Sequence, residues 1–193
     1  EALRMRRKGS NPCRGMPRFK RPKMERYLTP AEYRRLGAAL REAEAEHPIP
    51  VAIVRLLMFT GARLGEIRFL RWGMVKPPRL VLPDSKTGPK VIWLNSQALE
   101  VLAGFERGED DALVFVNSRG KHPVNIEPWW YNLRRRCAMP DLRVHDLRHS
   151  FASQLVMAGV PLVAIQQYLG HADMAMTMRY SHLSPAARQD YIK

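Results

Sequence analysis

The 193-residue sequence predicts a mainly α-helical domain with one small antiparallel β-sheet, an α+β fold. Two observations lead to this prediction. Apolar residues recur at helical spacing through most of the chain, and helix-start signals precede several of these stretches. Between Trp72 and Leu94 the pattern changes to short β-type runs that proline and glycine interrupt.

The first predicted helix begins at Thr29 and continues to about Ala45. Thr29 can accept a hydrogen bond from the first turn, and Pro30 suits the first helical position. Glu32 can reach back to the start of the helix and complete a capping box. The local sequence therefore marks the beginning of the folded part sharply.

Further helices follow from apolar periodicity. Residues 49–59 predict a second helix that ends at Thr60-Gly61, and a third helix is expected to start near Arg63. The remaining helices are predicted over residues 96–106, 127–137, 145–157, 161–169 and 186–192.

The β-type region predicts a hairpin. The runs RLVL (residues 79–82) and KVIWL (residues 90–94) flank the turn segment PDSKTGP. Two such runs joined by a segment containing proline and glycine indicate an antiparallel pair with a longer turn.

The chain divides into three predicted regions. Residues 1–28 are rich in arginine, lysine and proline, which indicates an extended basic linker, and we expect a further domain upstream of it. Residues 29–183 form the folded domain, and residues 184–193 form a helical tail.

The charge balance indicates a polyanionic partner. The chain has 32 lysine and arginine residues against 18 acidic residues, a net charge of +14, and residues 1–26 alone carry ten of the basic side chains. Nucleic acid and an acidic membrane face both fit this imbalance. A solvated basic tail is the simpler alternative for a short terminal run.

Composition also addresses the cellular setting. No segment approaches the roughly 18 uninterrupted apolar residues of a membrane helix, and the first residues have no apolar signal-peptide core. Cys13 and Cys137 lie far apart and form no metal or redox spacing. We therefore expect a protein that is not secreted and that works in a reducing compartment.

Two basic residues near turns are candidates for phosphate chemistry. Arg63 follows a glycine turn in TGARLGEI, and its planar fork suits a phosphate. Glu66 lies three residues on and can orient it. Lys86, in the hairpin turn, could donate a proton to a departing alkoxide. Taken alone, each cation is more often simply solvated.

The segment VHDLRHSFASQLV places His145 and Arg148 on the same side of a helix. His149, four residues after His145, raises the alternative of a metal-binding pair. A zincin helix has glutamate second, where Asp146 stands here, and Arg148 repels a cation. The sequence therefore predicts that His149 packs or forms hydrogen bonds.

The segment YLGHADMAMTMRYSHL contains two further candidates. His171 follows a glycine turn, and Tyr180 comes nine residues later. A phenol has an ordinary pKa of about 10, and nearby cations would make its anion accessible as a nucleophile. An isolated tyrosine in such a stretch is more often a packing residue.

Together these segments resemble the tyrosine recombinase family, phage integrases in particular. TGARLGEI resembles the family's first arginine box, KTG its hairpin lysine and HDLRHSFA its second box. LGH and the tyrosine nine residues later resemble its last histidine and nucleophile. The resemblance covers about residues 28–183, and NPCRG resembles the linker to an upstream core-binding domain. It implies the tyrosine recombinase catalytic-domain fold.

The resemblance also implies a role for each residue. Tyr180 attacks the scissile phosphate and forms a 3′-phosphotyrosine, and Lys86 protonates the leaving 5′-oxygen. The phosphate oxygens are bound by Arg63, Arg148 and His171, while His145 assists proton transfer at the nucleophile and Glu66 supports Arg63.

The implied function is site-specific recombination of double-stranded DNA without metal, ATP or another cofactor. The implied assembly is a homo-tetramer that forms on paired DNA sites from monomers, with residues 184–193 expected to contact a neighbouring subunit. The resemblance also implies accessory directionality or bending proteins, no membrane partner, and a place in the bacterial cytoplasm, at the nucleoid when the enzyme is active. A type IB topoisomerase uses the same residue set and is an alternative. A non-catalytic DNA-binding module is a second.

Overall fold

The computed structural model describes residues 26–83, 88–117, 120 and 122–184. Within these residues the chain forms eight α-helices and a three-stranded sheet. The helices are α1 (Pro30–Ala43), α2 (Pro48–Thr60), α3 (Leu64–Arg68), α4 (Ser96–Ala103), α5 (Glu127–Arg136), α6 (Val144–Met157), α7 (Leu162–Leu169) and α8 (Ala175–Met178). The strands are β1 (Val75–Lys76), β2 (Arg79–Leu82) and β3 (Lys90–Trp93), and 3₁₀ turns cover Trp72–Met74 and Ser181–Leu183.

Helix α1 begins as the sequence predicts. The Glu32 backbone N–H donates to the Thr29 hydroxyl at 3.3 Å, and the Thr29 backbone N–H donates to the Glu32 carboxylate at 2.8 Å. Both halves of the capping box are present, so two otherwise unpaired donors of the first turn are satisfied.

Helix α2 lies in the centre of the domain. Its residues are apolar apart from Arg55 and Thr60, and it packs against α1, α3, α4 and α6. It ends at Gly61, whose φ of 63° is the left-handed conformation that glycine adopts without strain. This turn directs the chain into α3, with Arg63 immediately before its first residue.

The sheet has the order β1-β2-β3, and all of its pairs are antiparallel. Leu80 pairs with Val75 on one side and with Ile92 on the other. Alternate residues of β3 face inwards, which buries Lys90 beside Ile92. Because β3 also contacts α7, this lysine lies next to the helix that precedes His171.

Two hydrophobic cores meet at α6. The larger core includes Val144 and Leu147 from the first half of the helix. The smaller core includes Ala152 and Val156 from the second half, together with Tyr180. Residues between these two sets therefore lie where both cores adjoin.

The predicted α+β fold is confirmed, with element ends that differ by a few residues. The helix predicted over residues 96–106 ends at Ala103. Strand β1, helix α8 and both 3₁₀ turns were not predicted. Residues 1–25 of the predicted linker and the helix expected at 186–192 lie outside the described residues. No helix of the described part is long and apolar enough to cross a bilayer.

Candidate active site

Arg63 and Glu66 form an ion pair at the start of α3. An Arg63 guanidinium nitrogen lies 2.8 Å from one Glu66 carboxylate oxygen, and the Arg63 backbone N–H donates to the other at 2.8 Å. Burial opposes ionisation of Glu66, but these bonds and the charge of Lys90 outweigh it, so its pKa lies below the ordinary value. The orienting contact predicted for Glu66 is present.

Arg148 is buried on α6 and joins two helix ends. Its two terminal nitrogens donate to the carbonyl oxygens of Gly61, at 2.6 Å, and Leu169, at 2.7 Å. These carbonyls belong to the carboxyl ends of α2 and α7, where the helix dipoles favour a cation. Burial, followed by the nearby charge of Arg63, lowers the Arg148 pKa to about 10. The two arginines are thus close enough to repel each other.

His171 follows Gly170, which ends α7 with a φ of 64°. Its Nδ1 lies 2.8 Å from the hydroxyl of Thr177, a fully buried residue of α8. Burial lowers the His171 pKa to about 4, and Arg148, Arg63 and Lys90 act in the same direction. The imidazole is therefore neutral at neutral pH and lies within the field of these cations.

His145 lies in the first turn of α6, beside Arg148. It lines a cleft of about 530 Å³ that also includes Tyr131, Arg134 and Arg143. Burial, and then the charge of Arg148, lowers the pKa of His145. Its ring lies 4.9 Å from that of His149, centroid to centroid, at an interplanar angle of 88°.

Tyr180 lies in the smaller core with only 6% of its surface exposed. Its hydroxyl contacts Nδ1 of His149, and the Arg179 guanidinium lies 5.8 Å from the ring centroid. Tyr180 also raises the pKa of Arg148, so the phenol and the buried guanidinium interact electrostatically. The structure therefore brings Tyr180 beside Arg148 and His149 of α6.

Lys86 lies outside the described residues, whereas Lys90 is a site residue that the sequence reasoning missed. The Lys90 ammonium lies 2.9 Å from the Glu66 carboxylate, and the two side chains are 5% and 6% exposed. Burial lowers the Lys90 pKa to about 8, although Glu66 raises it. The sequence does contain a signal for Lys90: it lies on the same, inward face of a strand as Ile92. A buried charge requires a partner, so this position could have indicated a paired lysine.

His149 forms a hydrogen bond, as predicted, and its partner is the Tyr180 hydroxyl. Among the described residues, no group of three or more histidine, cysteine, aspartate or glutamate side chains is placed to hold a metal ion. Asp146 instead accepts from the Arg143 backbone N–H at 2.8 Å and pairs with the Arg143 guanidinium, which caps α6.

These groups form a region of concentrated positive charge, and the Tyr180 phenol lies beside one of them, Arg148. Arg63, Lys90 and Arg148 are held so closely that their charges disfavour protonation of His171. A bound oxyanion would relieve this repulsion, and guanidinium groups are suited to donate hydrogen bonds to it.

Comparison with known proteins assigns the chain to a family. The sequence profile described as "Phage integrase family" matches residues 26–187. The chain belongs to the phage integrase family. The integrase of Escherichia phage 186 is 29% identical over 189 residues, which cover 96% of this chain and 53% of the phage protein. Tyrosine recombinase XerD of Lacticaseibacillus casei is 31% identical over 147 residues, or 69% of this chain and 50% of that one.

Solved structures agree with the integrase-family assignment. XerA recombinase superposes with a TM-score of 0.68 at 27% identity, covering 86% of this chain and 64% of that chain. The catalytic domain of bacteriophage HP1 integrase gives a TM-score of 0.67 at 24% identity, covering 84% and 90%, a likeness of fold alone. This integrase-family chain spans about half the length of the curated relatives it matches.

Proposed function

We propose that residues 29–183 are the catalytic domain of a site-specific DNA recombinase that cuts and rejoins strands through a 3′-phosphotyrosine at Tyr180. The observation that supports this most strongly is the convergence of Arg63, Arg148 and His171 on one region that also holds the phenol. A nucleophile within a group of fixed phosphate donors is what metal-free phosphoryl transfer requires.

Each residue has a proposed role in the cleavage step. Arg63, Arg148 and His171 hold the non-bridging oxygens, and Glu66 fixes Arg63. Lys86 protonates the leaving 5′-oxygen, and His145 assists proton transfer at the nucleophile. The covalent link conserves the energy of the phosphodiester, so joining to a new strand needs neither ATP nor another cofactor.

The proposed partner is double-stranded DNA, bound by a homo-tetramer that assembles on paired sites from monomers. Two solved structures of similar fold, each 18% identical to this chain, contain DNA: XerH is bound to difH substrate, and the Tn1549 transposon integrase is in complex with transposon right end DNA. We further propose a basic linker at residues 1–28, a subunit-contacting tail at 184–193 and accessory directionality or bending proteins. The enzyme would then act in the bacterial cytoplasm, at the nucleoid.

The topoisomerase and the non-catalytic module are less well supported. The matched relatives are named integrases and tyrosine recombinases. A supercoil-relaxation assay run beside a two-site recombination assay separates recombinase from topoisomerase.

A suicide substrate tests the proposal directly. A DNA duplex nicked beside the cleavage site loses the short 5′-hydroxyl strand after attack, so the covalent adduct accumulates and resists SDS. We expect the adduct from the wild-type protein and none from Tyr180→Phe. Tyr168→Phe is the matched control, because Tyr168 is a partly exposed tyrosine on α7. An adduct that persists in Tyr180→Phe contradicts the proposal.

A further inference from the structure

The contact between His149 and Tyr180 goes beyond the roles proposed above. Nδ1 of His149 touches the phenolic hydroxyl, and the two ring centroids lie 5.9 Å apart at 48°. The hydroxyl oxygen is the atom that must lose a proton and bond to phosphorus. His149 therefore touches the reacting atom itself.

The His149 side chain has ring contacts with two residues. It lies on α6 next to Arg148, and its backbone carbonyl accepts a hydrogen bond from the Ser153 hydroxyl at 2.8 Å. Its own ring contacts both the phenol and the His145 ring. Because His145 lines the open cleft, the His149 ring lies between the Tyr180 hydroxyl and a residue of that cleft.

We infer that His149 is a catalytic residue that takes the phenolic proton of Tyr180 as the oxygen attacks the scissile phosphate, an inference that rests on the proposed function. The O–H bond of Tyr180 breaks and an Nδ1–H bond forms, while the oxygen–phosphorus bond forms and the bond from phosphorus to the 5′-oxygen breaks. The leaving oxygen takes its proton from Lys86. In strand joining the imidazolium returns its proton to the departing phenolate.

The charge state of His149 is consistent with this role. Burial, and then the charges of His145 and Arg179, lowers its pKa to about 4, so the ring is neutral and has one nitrogen free to accept. A weak base suffices, because a phenol oxygen becomes strongly acidic as it bonds to phosphorus. The titratable and charged groups that face or adjoin the ring are Arg26, Tyr27, Arg143, His145, Asp146, Arg148, His171, Arg179, Tyr180 and His182.

The test compares His149→Ala, His149→Asn and the control His47→Ala in the suicide-substrate assay. His47 is exposed and packs on Trp129, at the start of α2. At neutral pH we expect His149→Ala to slow adduct formation by about 100-fold or more, with DNA binding in a gel shift unchanged. Asparagine can accept the hydroxyl's hydrogen bond but cannot take its proton, so His149→Asn should be nearly as slow.

Two further measurements exclude a structural role. The deficit of both variants should shrink as the pH rises towards the ordinary phenol pKa of about 10, since hydroxide then removes the proton. A 5′-bridging thio-substituted phosphate, whose thiolate leaves without protonation, should rescue Lys86→Ala but neither His149 variant.

Three results would overturn the inference. They are full activity in His149→Ala, rescue by asparagine, and a deficit that stays constant with pH. Failure of the proposed function itself is distinguishable, because the wild-type protein would then form no Tyr180-dependent adduct at all.

Discussion

Replacing Glu66 by alanine removes the carboxylate that joins three groups of the candidate site. One oxygen accepts the Arg63 guanidinium, and the other accepts the Arg63 backbone N–H and the Lys90 ammonium. Lys90 is only 5% exposed, so its charge would remain buried without this partner.

The magnitude follows from two contributions. Without Glu66, Lys90 can lose its proton and so avoid being a buried, unpaired cation. At neutral pH, deprotonating a lysine whose pKa is about 8 costs about 1.4 kcal/mol, which limits this contribution to the loss of stability. The Arg63 backbone N–H, left unpaired, adds about 1 to 3 kcal/mol. We expect Glu66→Ala to lower the free energy of unfolding by about 2 to 4 kcal/mol, which overlaps the range of about 3 to 5 kcal/mol for a broken buried pair.

Urea unfolding, followed by circular dichroism, measures this change, with the slope m expected to stay constant. Glu44→Ala is the control, because the Glu44 and Arg55 side chains are 49% and 23% exposed and their pair should contribute less than about 1 kcal/mol. Adding Lys90→Met to Glu66→Ala should restore part of the loss. If Glu66→Ala is no more destabilising than Glu44→Ala, the buried network does not stabilise the fold.

Three further outcomes are expected. Arg148→Ala should reduce the rate of adduct formation far more than it reduces DNA affinity in a gel shift. Equal losses of rate and affinity would mean that Arg148 only binds the DNA backbone. Acid should destabilise the DNA-free protein, because the folded structure lowers the His171 pKa to about 4. Between about pH 6.5 and 4 the unfolded chain therefore binds more protons than the folded protein, and the free energy of unfolding falls as the pH falls. In thermal melts, His171→Gln should remove about 1 to 3 kcal/mol of this dependence, and an unchanged profile would contradict that cause. Gly61→Ala should lower the free energy of unfolding by about 1 to 3 kcal/mol, because the added Cβ would lie 2.4 Å from the Phe151 ring at a φ of 63°. Gly65→Ala is the control, since a Cβ there meets nothing within 4 Å. Equal melting temperatures for the two variants would refute the clash.

The sequence predicted those elements whose start or end is marked by a few adjacent residues. The capping box at Thr29 and the left-handed turn at Gly61 are properties of a few adjacent residues, so both could be read from the chain. Strand β1 has two residues and helix α8 has four, too few for any periodicity to develop. These short elements depend on the neighbours against which they pack.

The candidate site was predictable in its residue types and less so in its contacts. The orienting pair of Arg63 and Glu66 lies within one helical turn and follows from spacing. The partner of His149 is 31 residues away, and Lys90 reaches Glu66 across 24 residues. Contacts over such distances depend on how α3, α6 and β3 pack.

The sequence by itself determined which chemical groups this protein has, in which order, and on which helix starts and turns they lie, because spacing and capping act locally. Only the tertiary structure decided which of them meet. Arg148 reaches the Gly61 carbonyl across 87 residues because α2 and α6 pack side by side in the core. The packing of α7 and of residues 181–183 against α6 buries Tyr180, with its hydroxyl against His149, because apolar surface on several elements is removed from water at once.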